Sequence, residues 1–188
     1  MTSKRIFIAL PLPQTQRIAS LFRSLKTELR QERIKWVDPR GLHLTLAFLG
    51  DTPAEKIPEL TRRLKAALAP HAPFRLQPAA LGTFPNEKRP RIIWAGMSAP
   101  PDLTALQRAV VHSLQPQFPI ADLRFTPHLT LGRIKGGVQR PGKVMDVLNR
   151  YQNWTDSPRI MDRVVVMESR LTPKGPIYTP LKALILKG

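Results

Sequence analysis

Two histidines of this 188-residue chain share one local spelling: His43-Leu44-Thr45-Leu46 in GLHLTLAFLG and His128-Leu129-Thr130-Leu131 in TPHLTLGRIKG. Imidazole titrates near neutral pH, so each histidine can give or take a proton. A threonine hydroxyl can donate to an anionic oxygen. In a strand, alternate side chains share a face. His43 with Thr45, and His128 with Thr130, are therefore expected to look one way, while Leu44, Leu46 and Phe48, like Leu129 and Leu131, look towards a core. Two such faces across a cleft supply a base, an acid and two hydroxyl donors. That set suits in-line displacement at phosphorus, where attacking and leaving oxygens lie on opposite sides. The near-identical motifs leave open which histidine is the acid. No metal is expected, because the chain has no cysteine and neither motif carries a carboxylate or second histidine at ligand spacing. No cofactor is called for.

The elements that must position these residues follow from the hydrophobic pattern. RIFIAL, residues 5–10, reads as a buried strand ended by Pro11. Ile18, Leu21, Phe22, Leu25 and Leu29 have helical spacing. HLTLAFL, residues 43–49, is rich in strand formers, and after it Thr52 is expected to cap a helix marked by Ile57, Leu60, Leu64 and Leu68. FRLQPAALGTF, residues 74–84, is strand-like but interrupted by proline, hence an edge. The order then recurs: a strand at RIIWAG, a helix through Leu103, Leu106, Val110 and Leu114, the second histidine strand, a helix through Val144, Val147, Leu148 and Tyr151, and strands at RVVVMES and IYTPLKALIL. GGVQRPG reads as a loop. An identical tetrapeptide pair by itself says little, since roughly 0.1–0.3 such pairs arise by chance at ordinary residue usage. The matching order of elements around it points to a duplicated α+β unit.

Composition sets the class. The length suits one domain, residues 1–188, and a hydrophobic content of 42% suits a folded core. In MTSKRIFIALPLPQ, prolines cut the apolar run short and no small-residue cleavage site follows, so no secretory signal is expected. No stretch approaches a membrane span. A soluble, cytoplasmic protein is expected. The formal charge is +17, with the excess spread over every quarter of the chain rather than held in a tail. A folded body with that field attracts polyanions, nucleic acid first among them.

The residues RIFIALPLP, LHLTLAFLG and FTPHLTLGR, with FPNEKRPRIIWAG and VVVMESRLTPKGPIYTPL, resemble the 2H phosphoesterase superfamily, whose signature is two His-x-Thr/Ser-x motifs. Within it the chain is most similar to the bacterial and archaeal RNA 2′,3′-cyclic phosphodiesterases, also called 2′-5′ RNA ligases. The resemblance implies a bilobal α+β fold in which two antiparallel sheets with outer helices flank a central cleft, one motif to each lobe. It warns that the termini can share a lobe. It implies hydrolysis of 2′,3′-cyclic phosphate on RNA ends or nucleotides to a 2′-phosphomonoester. His43 would then be the proton donor to the leaving 3′ oxygen and His128 the proton acceptor that activates water, in a monomer that needs no membrane. Arg133 resembles a phosphate contact of the family. Five residues from His128, it would point away from the site unless a bulge at Gly132 or the end of the strand turned it.

Phe84, Trp94 and Tyr178 could stack on a base, with Phe84 the candidate for substrate contact and Trp94 more suited to core packing. His71 and His112 lack the threonine two residues on and are expected to be uninvolved. Two other functions stay open: a non-catalytic RNA-binding phosphate clamp, and the same site run in reverse as a 2′-5′ ligase. A passive clamp would favour Lys and Arg over two titrating imidazoles.

Overall fold

The computed structural model describes residues 2–121, 123–173 and 175–188. In chain order they form β1 (Ser3–Pro11), α1 (Gln16–Glu28), β2 (Ile34–Trp36), β3 (His43–Pro53), α2 (Ile57–Leu68), β4 (Phe74–Leu76), β5 (Pro78–Phe84), β6 (Ile92–Met97), α3 (Pro101–Leu114), β7 (His128–Ile134), α4 (Pro141–Asn149), β8 (Arg159–Met161), β9 (Arg163–Thr172) and β10 (Gly175–Ile185). The main sheet runs β10-β9-β1-β3-β7-β6-β5, with β2 also on β7, and β4 pairs with β8 in a separate two-stranded sheet. Every pairing is antiparallel.

This sheet is two halves joined by a thread. β10, β9, β1 and β3 form one half; β7, β6, β5 and β2 form the other. They meet at a single register pair, Leu44 with Leu129. Both ends of the chain lie in the first half, since β1 is paired with β9. The helices cross over between halves. α3, which follows β6 of the second half, touches β3 of the first; it also packs on α2, which reaches β10. α4 touches β5. α1 follows β1 but sets Phe22 edge-on against Trp36 of β2, at 6.1 Å. The sequence repeat is real as an order of elements, yet each unit lends a helix to the other's sheet.

Local chemistry explains the element ends. The Thr15 hydroxyl accepts from the backbone N–H of Ile18 and caps α1. Glu32 is buried and its carboxylate accepts from the backbone N–H groups of Gln139 and Arg140, which fixes the approach to α4. Thus only the first part of GGVQRPG is a loop; Pro141 and Gly142 already belong to α4. Tyr151 lies beyond the end of α4, where its hydroxyl donates to Glu28 of α1. Thr52 does not cap α2. It stays in β3, paired with Lys4 of β1, and its hydroxyl donates to the Gly50 carbonyl, so α2 begins only at Ile57. Leu60, Leu64 and Leu68 of α2 and Leu103, Leu106, Val110 and Leu114 of α3 are all buried, each removal from water contributing about 1.5–3 kcal/mol before chain entropy is counted. No helix among the described residues is long and apolar enough to cross a membrane.

Candidate active site

The seam between the half-sheets brings the two motifs together. With Leu44 opposite Leu129 in an antiparallel pair, one residue to either side sets His43 beside Thr130 and Thr45 beside His128. A local two-fold axis passes through the two leucines, which are buried, and the four polar side chains stand on the opposite face. The histidines are near enough for the charge of one to act on the other.

Each imidazole is held in the same way. Nδ1 of His43 lies 2.8 Å from the carbonyl oxygen of Gly41, and Nδ1 of His128 lies 2.7 Å from that of Thr126. A carbonyl only accepts, so Nδ1 carries hydrogen in both rings and Nε2 is left to exchange a proton. The rings are also packed. His43 touches Phe7 at 4.9 Å and the edge of Tyr178 at 5.0 Å; His128 stands edge-on to Phe84 at 4.9 Å. Burial holds both imidazoles below their ordinary pKa. The positive charge of Arg133 pushes both the same way, while the carbonyl bonds oppose it.

Arg133 reaches this face because β7 bulges. Ile93 of β6 pairs with Gly132 and Trp94 pairs with Thr130, so Leu131 has no partner on β6. The alternation resets there: Leu131 and Gly132 both face the core and Arg133 comes out on the histidine side. β3 does the same at the same letter. Ile8 pairs with Ala47 and Ala9 with Thr45, leaving Leu46 unpaired. Phe48, expected in the core with Leu44 and Leu46, is therefore turned to the site face, half-buried, with the Arg5 guanidinium 4.8 Å from its ring centre. In both motifs the fourth residue is the bulged one and the residue five beyond the histidine is redirected.

His43, Thr45 and Arg133 line a cavity of about 450 Å³ with Phe7, Phe48 and Tyr178. Arg5, Lys35 and Lys135 line it too, and among the described residues no carboxylate does. The guanidinium of Arg133 engages the Tyr178 hydroxyl, opposing the rise in that hydroxyl's pKa that burial causes. Phe84 lies against both His128 and Trp94, the latter at 5.2 Å. Trp94 is half-buried rather than a core residue: it pairs with Thr130 and covers Gly82, where a Cβ would meet the indole at 2.3 Å. This cavity lies on the His43 side: His128, Thr130 and Phe84 are not in its lining, and neither are His112, exposed on α3, or His71, in the turn after α2. Among the described residues no three His, Cys, Asp or Glu side chains are grouped to hold a metal ion. Phe7 and Lys35 were not legible as site residues: Phe7 hides in a continuous apolar run, and the strand carrying Lys35 is only three residues long.

The chain has known relatives over nearly its full length. The model of the LigT-like phosphoesterases matches residues 8–94 and 97–178. The RNA 2′,3′-cyclic phosphodiesterase of Thermus thermophilus is 35% identical, over 98% of this chain and 91% of its own length. That of Methanothermobacter thermautotrophicus is 32% identical, over 97% and 98%. Among solved structures, TT0787 of Thermus thermophilus superposes with a TM-score of 0.76 at 31% identity, covering 98% of both chains. LigT of E. coli in its apo form shares the fold with a TM-score of 0.72 at 23% identity, covering 100% of both. With both motifs inside the matched segments, the chain belongs to the LigT-like phosphoesterase family.

Proposed function

We propose that this protein is an RNA 2′,3′-cyclic phosphodiesterase. It opens the cyclic phosphate of RNA ends or free nucleotides to a 2′-phosphomonoester, without a metal, in a cleft between two pseudo-symmetric lobes of a single domain. The observation that carries the reading is the pair of imidazoles with Nδ1 tied to a carbonyl and Nε2 free, one on each side of the Leu44–Leu129 seam.

The substrate phosphate sits between the histidines. Thr45, Thr130 and Arg133 donate to its non-bridging oxygens, and Phe84 lies beside the substrate next to His128. Water attacks phosphorus as His128 Nε2 takes its proton, the P–O3′ bond breaks, and His43 Nε2 gives a proton to the departing 3′ oxygen. One proton is taken up and one given out. Depressed pKa values keep both imidazoles largely neutral in the empty site at pH 7, and an arriving phosphate anion favours the protonated form of one of them. With the 5′ hydroxyl of another RNA in place of water, His128 takes its proton, the P–O3′ bond breaks with a proton from His43, and a 2′-5′ linkage is left. The protein acts as a monomer, and a chain free of cysteine suits the reducing cytoplasm.

The test is to mix pure protein with adenosine 2′,3′-cyclic phosphate and determine where the phosphate ends. A 2′-phosphate formed with a strong chelator present supports the reading. Binding without turnover would leave the protein a phosphate clamp, and activity lost to chelator and restored by a divalent ion would overturn the mechanism.

A further inference from the structure

The cavity beside His43 holds more positive charge than one cyclic phosphate uses. That group carries a single negative charge, which Arg133 and an imidazolium already meet. The wall continues past Arg133 with Lys35 and Lys135. Lys35 is the register partner of Arg133 between β2 and β7, so two cations stand opposite each other on one face, an arrangement that costs stability in a ladder. Among the described residues no carboxylate lines the cavity to offset it. The ion pairs among the described residues lie elsewhere, at Lys4, Arg40, Arg62, Arg63, Arg150, Arg159 and Arg163.

Lys35 is also placed rather than loose. Its ammonium donates to the Pro173 carbonyl at 3.3 Å, a long bond that leaves its other N–H donors available. Its stem passes over Gly175, where a Cβ would come within 2.8 Å of Lys35 Cε, and the positive φ of Gly175 also favours glycine. Pro173 and Gly175 of one half-sheet thus steady an ammonium of the other, in the wall of the cavity.

In an RNA strand the nucleotide bearing the cyclic end is joined to its neighbour through its own 5′-phosphate. The next negative charge is therefore one nucleotide from the reacting one. We infer that Lys35 and Lys135 form a second anion subsite for that phosphodiester, so that RNA ends are taken in preference to free cyclic nucleosides. The inference rests on the cyclic phosphodiesterase reading above.

Three substrates test it: adenosine 2′,3′-cyclic phosphate, the same compound with a 5′-phosphate, and the dinucleotide ApA with a 2′,3′-cyclic end. For the wild type, kcat/KM for the second and third should exceed the first by about tenfold, the lower end of what a charge-assisted contact supplies. Added salt should shrink that gap. In Lys35→Gln and, separately, Lys135→Gln, the ratio should fall towards one, and Lys35→Arg should restore it. A wild-type ratio near one, or a ratio that both variants keep, overturns the subsite while the proposed function stands. No turnover of any of the three by the wild type defeats the cyclic phosphodiesterase reading and the subsite with it.

Discussion

The His43 and His128 strands share four letters and a bulge at the fourth, yet they deliver different chemistry five residues past the histidine. On β3 that position is Phe48, under the Arg5 guanidinium; on β7 it is Arg133, facing both imidazoles. The surroundings differ too. His43 is packed between Phe7 and Tyr178, whereas His128 has Phe84 at its edge. What is common is the tautomer, set in each strand by the carbonyl two residues before the histidine, ahead of the shared letters. The unshared neighbours set what differs: the rings packed around each imidazole and the group carried five residues on.

The sharpest way to break this comparison is to remove each imidazole. Under the proposed roles His43→Ala and His128→Ala each cost about 10²–10⁴-fold in turnover of a cyclic nucleotide. The double variant should be far less than multiplicatively worse, since both act in one step. If either single variant keeps full activity, the two strands are not partners. Thr45→Val and Thr130→Val come next, with losses of about 10–10³-fold from donors missing at the phosphoryl oxygens. A large asymmetry between them would show that the local two-fold axis does not extend to the bound phosphate.

Arg133→Gln sharpens the comparison by pH. One histidine must be protonated and the other neutral, so the rate is bell-shaped in pH. Both pKa values are depressed, which puts the kcat/KM optimum below about 6.5, the ordinary imidazole value. Arg133 disfavours the imidazolium on both rings; taking its charge away raises both pKa values, and both limbs of the bell should move to higher pH. A rate loss of about tenfold should accompany the shift. Limbs that stay in place while the rate falls would make Arg133 a contact to substrate and nothing more.

Gly132→Ala probes the bulge itself. A Cβ at Gly132 would lie 2.8 Å from Ile34 and 3.1 Å from Trp36, so β2 must shift, at a cost of about 1–3 kcal/mol readable in the denaturant midpoint. The smallest effects belong to His71→Ala and His112→Ala, which should turn over substrate like the wild type.

What was readable in the sequence, and what was not, divides along the same strands. The helices were visible because leucines at helical spacing are buried whatever their neighbours do. The histidine–threonine faces were visible because alternation holds over three residues. It failed beyond that. The parity that put Phe48 in the core and turned Arg133 away assumes an unbroken ladder, and the slip at Leu46 and Leu131 is a property of pairing with β1 and β6, written in no single residue. Thr52 looked like a cap because its neighbours allow one; pairing with Lys4 kept it in the strand instead. β2 and β8, three residues each, are too short to show a period. The crossing of helices between half-sheets has no local signal at all, and the residues joined by one register pair at the seam lie far apart in the chain.

That single pair also has a mechanical meaning. A joint made of one pair of residues is a pivot, and displacement about a pivot grows with distance from it. Nε2-bearing side chains one residue from Leu44 and Leu129, about 3.3 Å along the strand, sit almost on the axis. Lys35 and the Pro173 carbonyl sit far out on opposite arms, where the halves touch again. α3 on β3 and the Lys35–Pro173 contact also brace the halves, so any flexing of one half-sheet against the other would be felt at Lys35 several times more than in the spacing of the two imidazoles, and the reacting groups keep their separation.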